Sequence, residues 1–130
     1  MPDALHLLTA ASELLAHAYA PYSNVRVAAV VASADDHLTG GVNVENASLG
    51  LTCCAERVAI FSALAQGQRE FIALAVVSDS LASIQPCGAC RQVMMEHCPA
   101  DMPVYMQGTD GIVTATTVGA LLPEAFSLKK

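Results

Sequence analysis

The stretch Thr52-Cys53-Cys54-Ala55-Glu56-Arg57 decides how this chain is read, together with Gln85-Pro86-Cys87-Gly88-Ala89-Cys90-Arg91-Gln92. Cys87 follows Cys54 by 33 residues, and Cys90 follows Cys87 by three. Three cysteines can place three thiolates on one metal ion, and a carboxylate two residues after the first can stand beside that ion without binding it. Residues i and i+2 of a regular helix point about 200° apart, so Cys54 and Glu56 would diverge in mid-helix. At a helix N-terminus they need not, because a cap residue folds its side chain over the end of the helix. Cys87 and Cys90 follow the same rule as cap and third residue. The spacing therefore predicts two helices whose N-termini point at one metal.

Three thiolates over-neutralise a Zn²⁺ ion and weaken it as a Lewis acid. Helix N-termini, each carrying roughly half a positive charge, offset part of this. Arg57 can donate to a thiolate and offset more. No acid stands four residues from Arg57 on either side, so a helical surface ion pair does not account for it. Three protein ligands leave a fourth position for water, the mark of a catalytic zinc. Two other readings use the same cysteines: a closed site with Cys53 or Cys98 as fourth ligand, and a redox pair of Cys87 and Cys90. Neither requires Glu56. Cys53 and Cys98 are expected as core or boundary thiols.

The remaining pattern alternates helices with strands. A helix is expected from Asp3 to Ala20, with Leu5, Leu8, Ala11, Leu15 and Ala18 as its apolar stripe and Pro21 as its stop. Val25 to Ser33 and Leu38 to Val44 read as an antiparallel hairpin around the turn Ala34-Asp35-Asp36-His37. Thr52 to Leu64 reads as a helix, and Phe71 to Ser78 as a central strand covered on both faces. Cys87 to His97 is a helix, Val104 to Met106 and Ile112 to Thr116 are strands, and Val118 to Leu122 is a short helix. The fold class is α/β: a three-layer α/β/α sandwich on a mixed five-stranded sheet, forming a single domain over 1–130.

Composition narrows the function. Hydrophobic residues make up 54% of the 130-residue chain and charged residues only 14%, which places apolar surface in a subunit interface. A net charge of −6 and the absence of Trp argue against a nucleic-acid polymer as partner. No apolar run reaches the ~20 residues that span a bilayer. Met1-Pro2-Asp3-Ala4-Leu5-His6 lacks the basic start of a signal peptide, so the expectation is a cytoplasmic protein with reduced thiols.

The cysteine motifs resemble those of the zinc nucleobase deaminases, in their all-Cys form. Adding Pro21-Tyr22-Ser23, Asn43-Val44-Glu45-Asn46 and Leu121-Leu122-Pro123-Glu124-Ala125-Phe126 makes most of the chain similar to the small homotetrameric zinc cytidine deaminases. The resemblance implies one zinc per subunit on Cys54, Cys87 and Cys90, with Glu56 as proton shuttle and Arg57 bonded to a thiolate. It implies that Asn43 and Glu45 hold the ribose hydroxyls, that the Ala55 backbone N–H binds the base, and that Phe126 stacks in a neighbouring subunit's pocket. Three positions depart from the family pattern: Val25 stands where a Phe is usual, Ala28 where a Gly is usual, and Leu49 where a Tyr is common. They touch the substrate pocket and leave the metal untouched. The implied reaction is hydrolytic deamination of cytidine or 2′-deoxycytidine to the uridine and ammonia, a step of pyrimidine salvage. The alternatives are a deaminase of modified cytosines, such as N4-substituted cytidines or blasticidin-like compounds, and a zinc-stabilised binding module without catalysis.

Overall fold

Only small and β-branched residues make up β1 (Val27–Ser33), and both faces of this strand are buried. Val27, Ala29 and Val31 join one core, while Ala28, Val30 and Ala32 join a second on the opposite face. That is the two-residue period of a strand between two helical layers. The structure, a computed structural model, describes residues 3–129, so the non-basic start at Met1-Pro2 lies outside it. β1 pairs antiparallel with β2 (Leu38–Val42) on one side and β3 (Phe71–Ser78) on the other. β3 pairs parallel with β4 (Pro103–Gln107), which pairs antiparallel with β5 (Val113–Thr117). The sheet is mixed and five-stranded, in the order β2-β1-β3-β4-β5.

Helix α1 (Ala4–Ser12) covers one face through Leu7, Leu8 and Ala11. Helices α2 (Ala55–Ala65) and α3 (Gly88–His97) share the other core with Ala59, Ile60, Ala63, Cys90 and Met94. A short helix, α4 (Val118–Leu121), follows β5. The expected α/β/α sandwich is the observed fold. Among the described residues no helix is long and apolar enough to cross a membrane.

The topology places the cysteines. β2 and β3 are both antiparallel to β1, so they run the same way, and β4 is parallel to β3. The connections through α2 and α3 are therefore crossovers between like-directed strands. Each helix starts on the side where its preceding strand ends, which is where open α/β sheets bind ligands. α2 can sit close on β2 because Gly41 has no side chain. A Cβ there would lie 2.6 Å from the Ala55 carbonyl oxygen, 3.0 Å from Ala59 Cα, and closer still to the Ala59 backbone nitrogen.

The first helix differs from the sequence expectation. It ends at Ser12 instead of Ala20, and Leu5 lies outside its packed stripe, 72% exposed. The Glu13 N–H donates to the Thr9 carbonyl at 3.2 Å and the Leu14 N–H to the Ala11 carbonyl at 3.0 Å, and the following turns tighten into a 3₁₀ segment at Leu15–His17. The chain must straighten there because Tyr19 pairs with the segment after β2. Its N–H donates to the Asn43 carbonyl at 2.9 Å, and its carbonyl accepts the Glu45 N–H at 2.9 Å. Two other boundaries move for the same kind of reason. β2 stops at Val42 instead of Val44, because Val44 pairs with Tyr19 and Cys53. α2 starts at Ala55 instead of Thr52, because Cys53 is held extended by that pairing and Cys54 is the cap.

Gly41→Ala drives a methyl into helix backbone that cannot move alone, so it is expected to destabilise the protein by about 3 kcal/mol. Gly50→Ala, where a Cβ would meet nothing within 4 Å, serves as control. Its effect should stay within about 0.5 kcal/mol. Urea denaturation at one fixed protein concentration measures both.

Candidate active site

Cys54 is the N-cap of α2 and Cys87 the N-cap of α3, and neither side chain makes a capping hydrogen bond. Their thiols are therefore free for other work. Cys90, on the first turn of α3, completes a group whose three sulfurs all lie within 4.8 Å of one another. Cys54 and Cys87 Sγ are 3.6 Å apart, and Cys87 and Cys90 Sγ 3.5 Å. Zinc–sulfur bonds of about 2.3 Å at tetrahedral angles set sulfurs about 3.8 Å apart, so the donor set fits zinc. Cys53 and Cys98 stand outside this group. Cys98 is a core thiol whose pKa burial pushes up to about 12.

The electrostatics point the same way. Hydrogen bonding from the Cys90 thiol, then from Arg57 and Cys87, lowers the Cys54 pKa to about 5 against the opposing effect of burial. Cys90 is pushed up, first by that same contact with Cys54 and then by burial and the nearby carboxylate. Thiols this crowded do not all ionise unless a cation joins them. Arg57 Nη2 donates to Cys54 Sγ at 3.4 Å, as expected, and the sulfurs hold the guanidinium firmly charged.

Glu56 follows on the first turn of α2 and is 3% exposed. Burial raises its carboxyl pKa to about 7. The Cys54 charge adds to the rise, while its own backbone N–H and Arg57 oppose it. Glu56, Ala55, Cys54 and Cys87 line a cleft of about 280 Å³. The cleft wall thus carries two of the three cysteines, a buried carboxyl and the N-terminus of α2.

Asn43, Glu45 and Val25 line the same cleft. Asn43 is buried, and its amide bonds the start of β1: Oδ1 accepts from Val27 N–H at 2.9 Å, and Nδ2 donates to the Val25 carbonyl at 2.7 Å. One amide hydrogen remains for a ligand. Glu45 accepts from the backbone N–H groups of Tyr22 and Ser23 and from the Ser23 hydroxyl, which holds its pKa below the usual carboxylate range. Leu49 and Phe126 do not line this cleft. They are 73% and 69% exposed, Leu49 in a 3₁₀ turn and Phe126 in the C-terminal segment. Ala28 faces the α1 core, away from the cleft.

The sequence reading missed Ser23, Thr52, Leu81, Ile84 and Gln85, all on the cleft wall. The last three precede Pro86-Cys87 on the connection from β3 to α3, and their nearness to the cysteine motif was the available signal. The aliphatic wall of Val25, Val27, Leu81 and Ile84 contains no aromatic ring among the described residues.

Comparison with known proteins agrees with this geometry. A sequence model of the family described as the cytidine and deoxycytidylate deaminase zinc-binding region matches residues 1–106. A cytidine deaminase of Halalkalibacterium halodurans is 50% identical over 110 residues, covering 85% of this chain and 83% of the relative. One from Sporosarcina psychrophila is 44% identical over 125 residues, covering 96% and 92%. The crystal structure of cytidine deaminase from Burkholderia pseudomallei superposes with a TM-score of 0.92 at 48% identity, over 96% of this chain and all of that one. The chain belongs to the family described as the cytidine and deoxycytidylate deaminase zinc-binding region, and its three-cysteine group is suited to holding a metal ion.

Proposed function

We propose that this chain hydrolyses cytidine and 2′-deoxycytidine to the corresponding uridines and ammonia, with Cys54, Cys87 and Cys90 holding the zinc. The observation that carries the reading is a buried carboxyl, Glu56, beside a three-thiol group on a cleft that Asn43 and Glu45 also line. Zinc held there supplies Lewis acidity that lets water lose a proton near neutral pH. Glu56 takes that proton and delivers it to N3 of the base, which makes C4 electrophilic. The deprotonated water oxygen then bonds to C4, and Glu56 carries that oxygen's remaining proton to the amino group, which leaves as ammonia when the C4–N bond breaks. The Ala55 backbone N–H, at the start of α2, binds the base. Asn43 and Glu45 bind the ribose hydroxyls, the amide hydrogen donating and the carboxylate accepting. Arg57 keeps Cys54 anionic and correctly turned. A nucleoside, not a polymer, is the substrate, in keeping with the −6 charge and a cleft of about 280 Å³.

The same reading makes the enzyme a homotetramer of the cytoplasm, serving pyrimidine salvage, with the chain folded as one domain. Leu49, Leu51, Phe61 and Phe126 leave apolar surface exposed on the single chain, which supports burial between subunits. Leu49 and Phe126 then complete a neighbour's cleft. A second reading, deamination of N4-substituted cytidines, is favoured by the aliphatic wall at Val25, which leaves room beside the base.

Ammonia release from cytidine tests the main reading, and methylamine release from N4-methylcytidine in parallel tests the second. Glu56→Gln should keep the fold and the zinc yet lose more than the ~10²–10⁴-fold typical of one acid–base group, because it serves several transfers. Activity within about tenfold of the parent would refute the shuttle. Sedimentation should show a tetramer, and Phe126→Ala should lower kcat/KM on cytidine by about tenfold, the scale of one lost stacking contact. A fully active monomer would refute the shared site.

A further inference from the structure

Glu45 and Asn43 stand on the same short segment after β2, yet both are oriented by residues 22–27, which precede β1 and run into it. An ionised carboxylate offers about four acceptor sites. Glu45 Oε1 receives the Tyr22 N–H at 3.0 Å and the Ser23 N–H at 3.2 Å, and Oε2 receives the Ser23 hydroxyl. One direction on Oε2 is therefore left for a ligand. The Ser23 hydroxyl is itself aimed, because its oxygen accepts the Val25 N–H at 3.0 Å. Its single proton must then go to Glu45. The turn that folds Val25 back onto Ser23 depends on Asn24, whose φ of 59° asparagine tolerates well. From Val25 the chain of bonds continues through its carbonyl to Asn43 Nδ2, and from Asn43 Oδ1 to the Val27 N–H.

We propose that Ser23 is a positioning residue for the sugar: by donating to Glu45 Oε2 while held by the Val25 N–H, it leaves the carboxylate one lone-pair direction, which receives a substrate sugar hydroxyl. The inference rests on the reading that Glu45 binds that hydroxyl. The two backbone N–H groups on Oε1 anchor the carboxylate but leave it free to reorient Oε2. The hydroxyl removes that freedom before substrate arrives, so the ordering cost is not met during binding. A residue acting this way matters only to substrates that carry the hydroxyl. A residue that merely folded the turn would affect every substrate alike, because Val25 on the same turn also lines the cleft.

The experiment compares kcat/KM on cytidine and on 2′,3′-dideoxycytidine for the parent, Ser23→Ala, Ser23→Thr and Glu45→Gln, each as zinc-loaded full chain. Ser23→Ala should lower the value on cytidine by about tenfold, the scale of a hydrogen bond to a charged group, and change that on dideoxycytidine by less than about threefold. Ser23→Thr, which keeps the hydroxyl, should restore the parent ratio. An equal loss on both substrates, or no loss on either, overturns the positioning role. If Glu45→Gln fails to separate the two substrates, the assignment of Glu45 falls and Ser23 with it. If Glu45→Gln separates them and Ser23→Ala does not, only the Ser23 inference falls.

Discussion

Three ionisable sulfurs within 4.8 Å of one another are a repulsive arrangement, and much of the fold serves to hold it. Left to themselves the thiols share protons: Cys54 goes down in pKa as Cys90 goes up. Two helix N-termini and the Arg57 guanidinium supply positive potential to the group. Both helices begin there because β2 and β3 run the same way and cross over on one face of the sheet. Gly41 lets α2 sit against β2, and Cys90 and Met94 anchor α3 in the core. A zinc ion held there would complete the balance, on a frame fixed by hydrophobic packing rather than by the metal alone.

The two ends of the cleft are built by different means. The metal end uses helix termini, so its side chains are placed by regular structure. Asn43 and Glu45, proposed to hold the sugar, stand on an irregular segment, so their side chains are placed by hydrogen bonds across the chain, from residues 22–27 to 43–45. Val25 has its backbone pinned at both the N–H and the carbonyl and its side chain on the cleft wall.

That division also explains what could be read in the sequence. The cysteine spacing was legible because cap-plus-three is a local rule, and it returned Cys87 and Cys90 where expected. The sheet was legible because β1 and β3 carry the apolar pattern of doubly covered strands. The end of α1 was not, because the bridge from Tyr19 to Val44 joins residues far apart in sequence. Nor was the pair of hydrogen bonds by which Asn43 accepts from Val27 N–H and donates to the Val25 carbonyl, since nothing local marks an asparagine as holding a distant strand. Leu49 and Phe126 belong to a site only if another chain brings one, and a single chain leaves both exposed.

The central claim is an open zinc site with three thiolates, and X-ray absorption at the zinc edge of the purified protein tests it most directly. The account predicts three sulfur neighbours at about 2.3 Å and one lighter oxygen neighbour at about 2.0–2.2 Å. Four sulfur neighbours, which would enlist Cys53 or Cys98 and close the site, would contradict it.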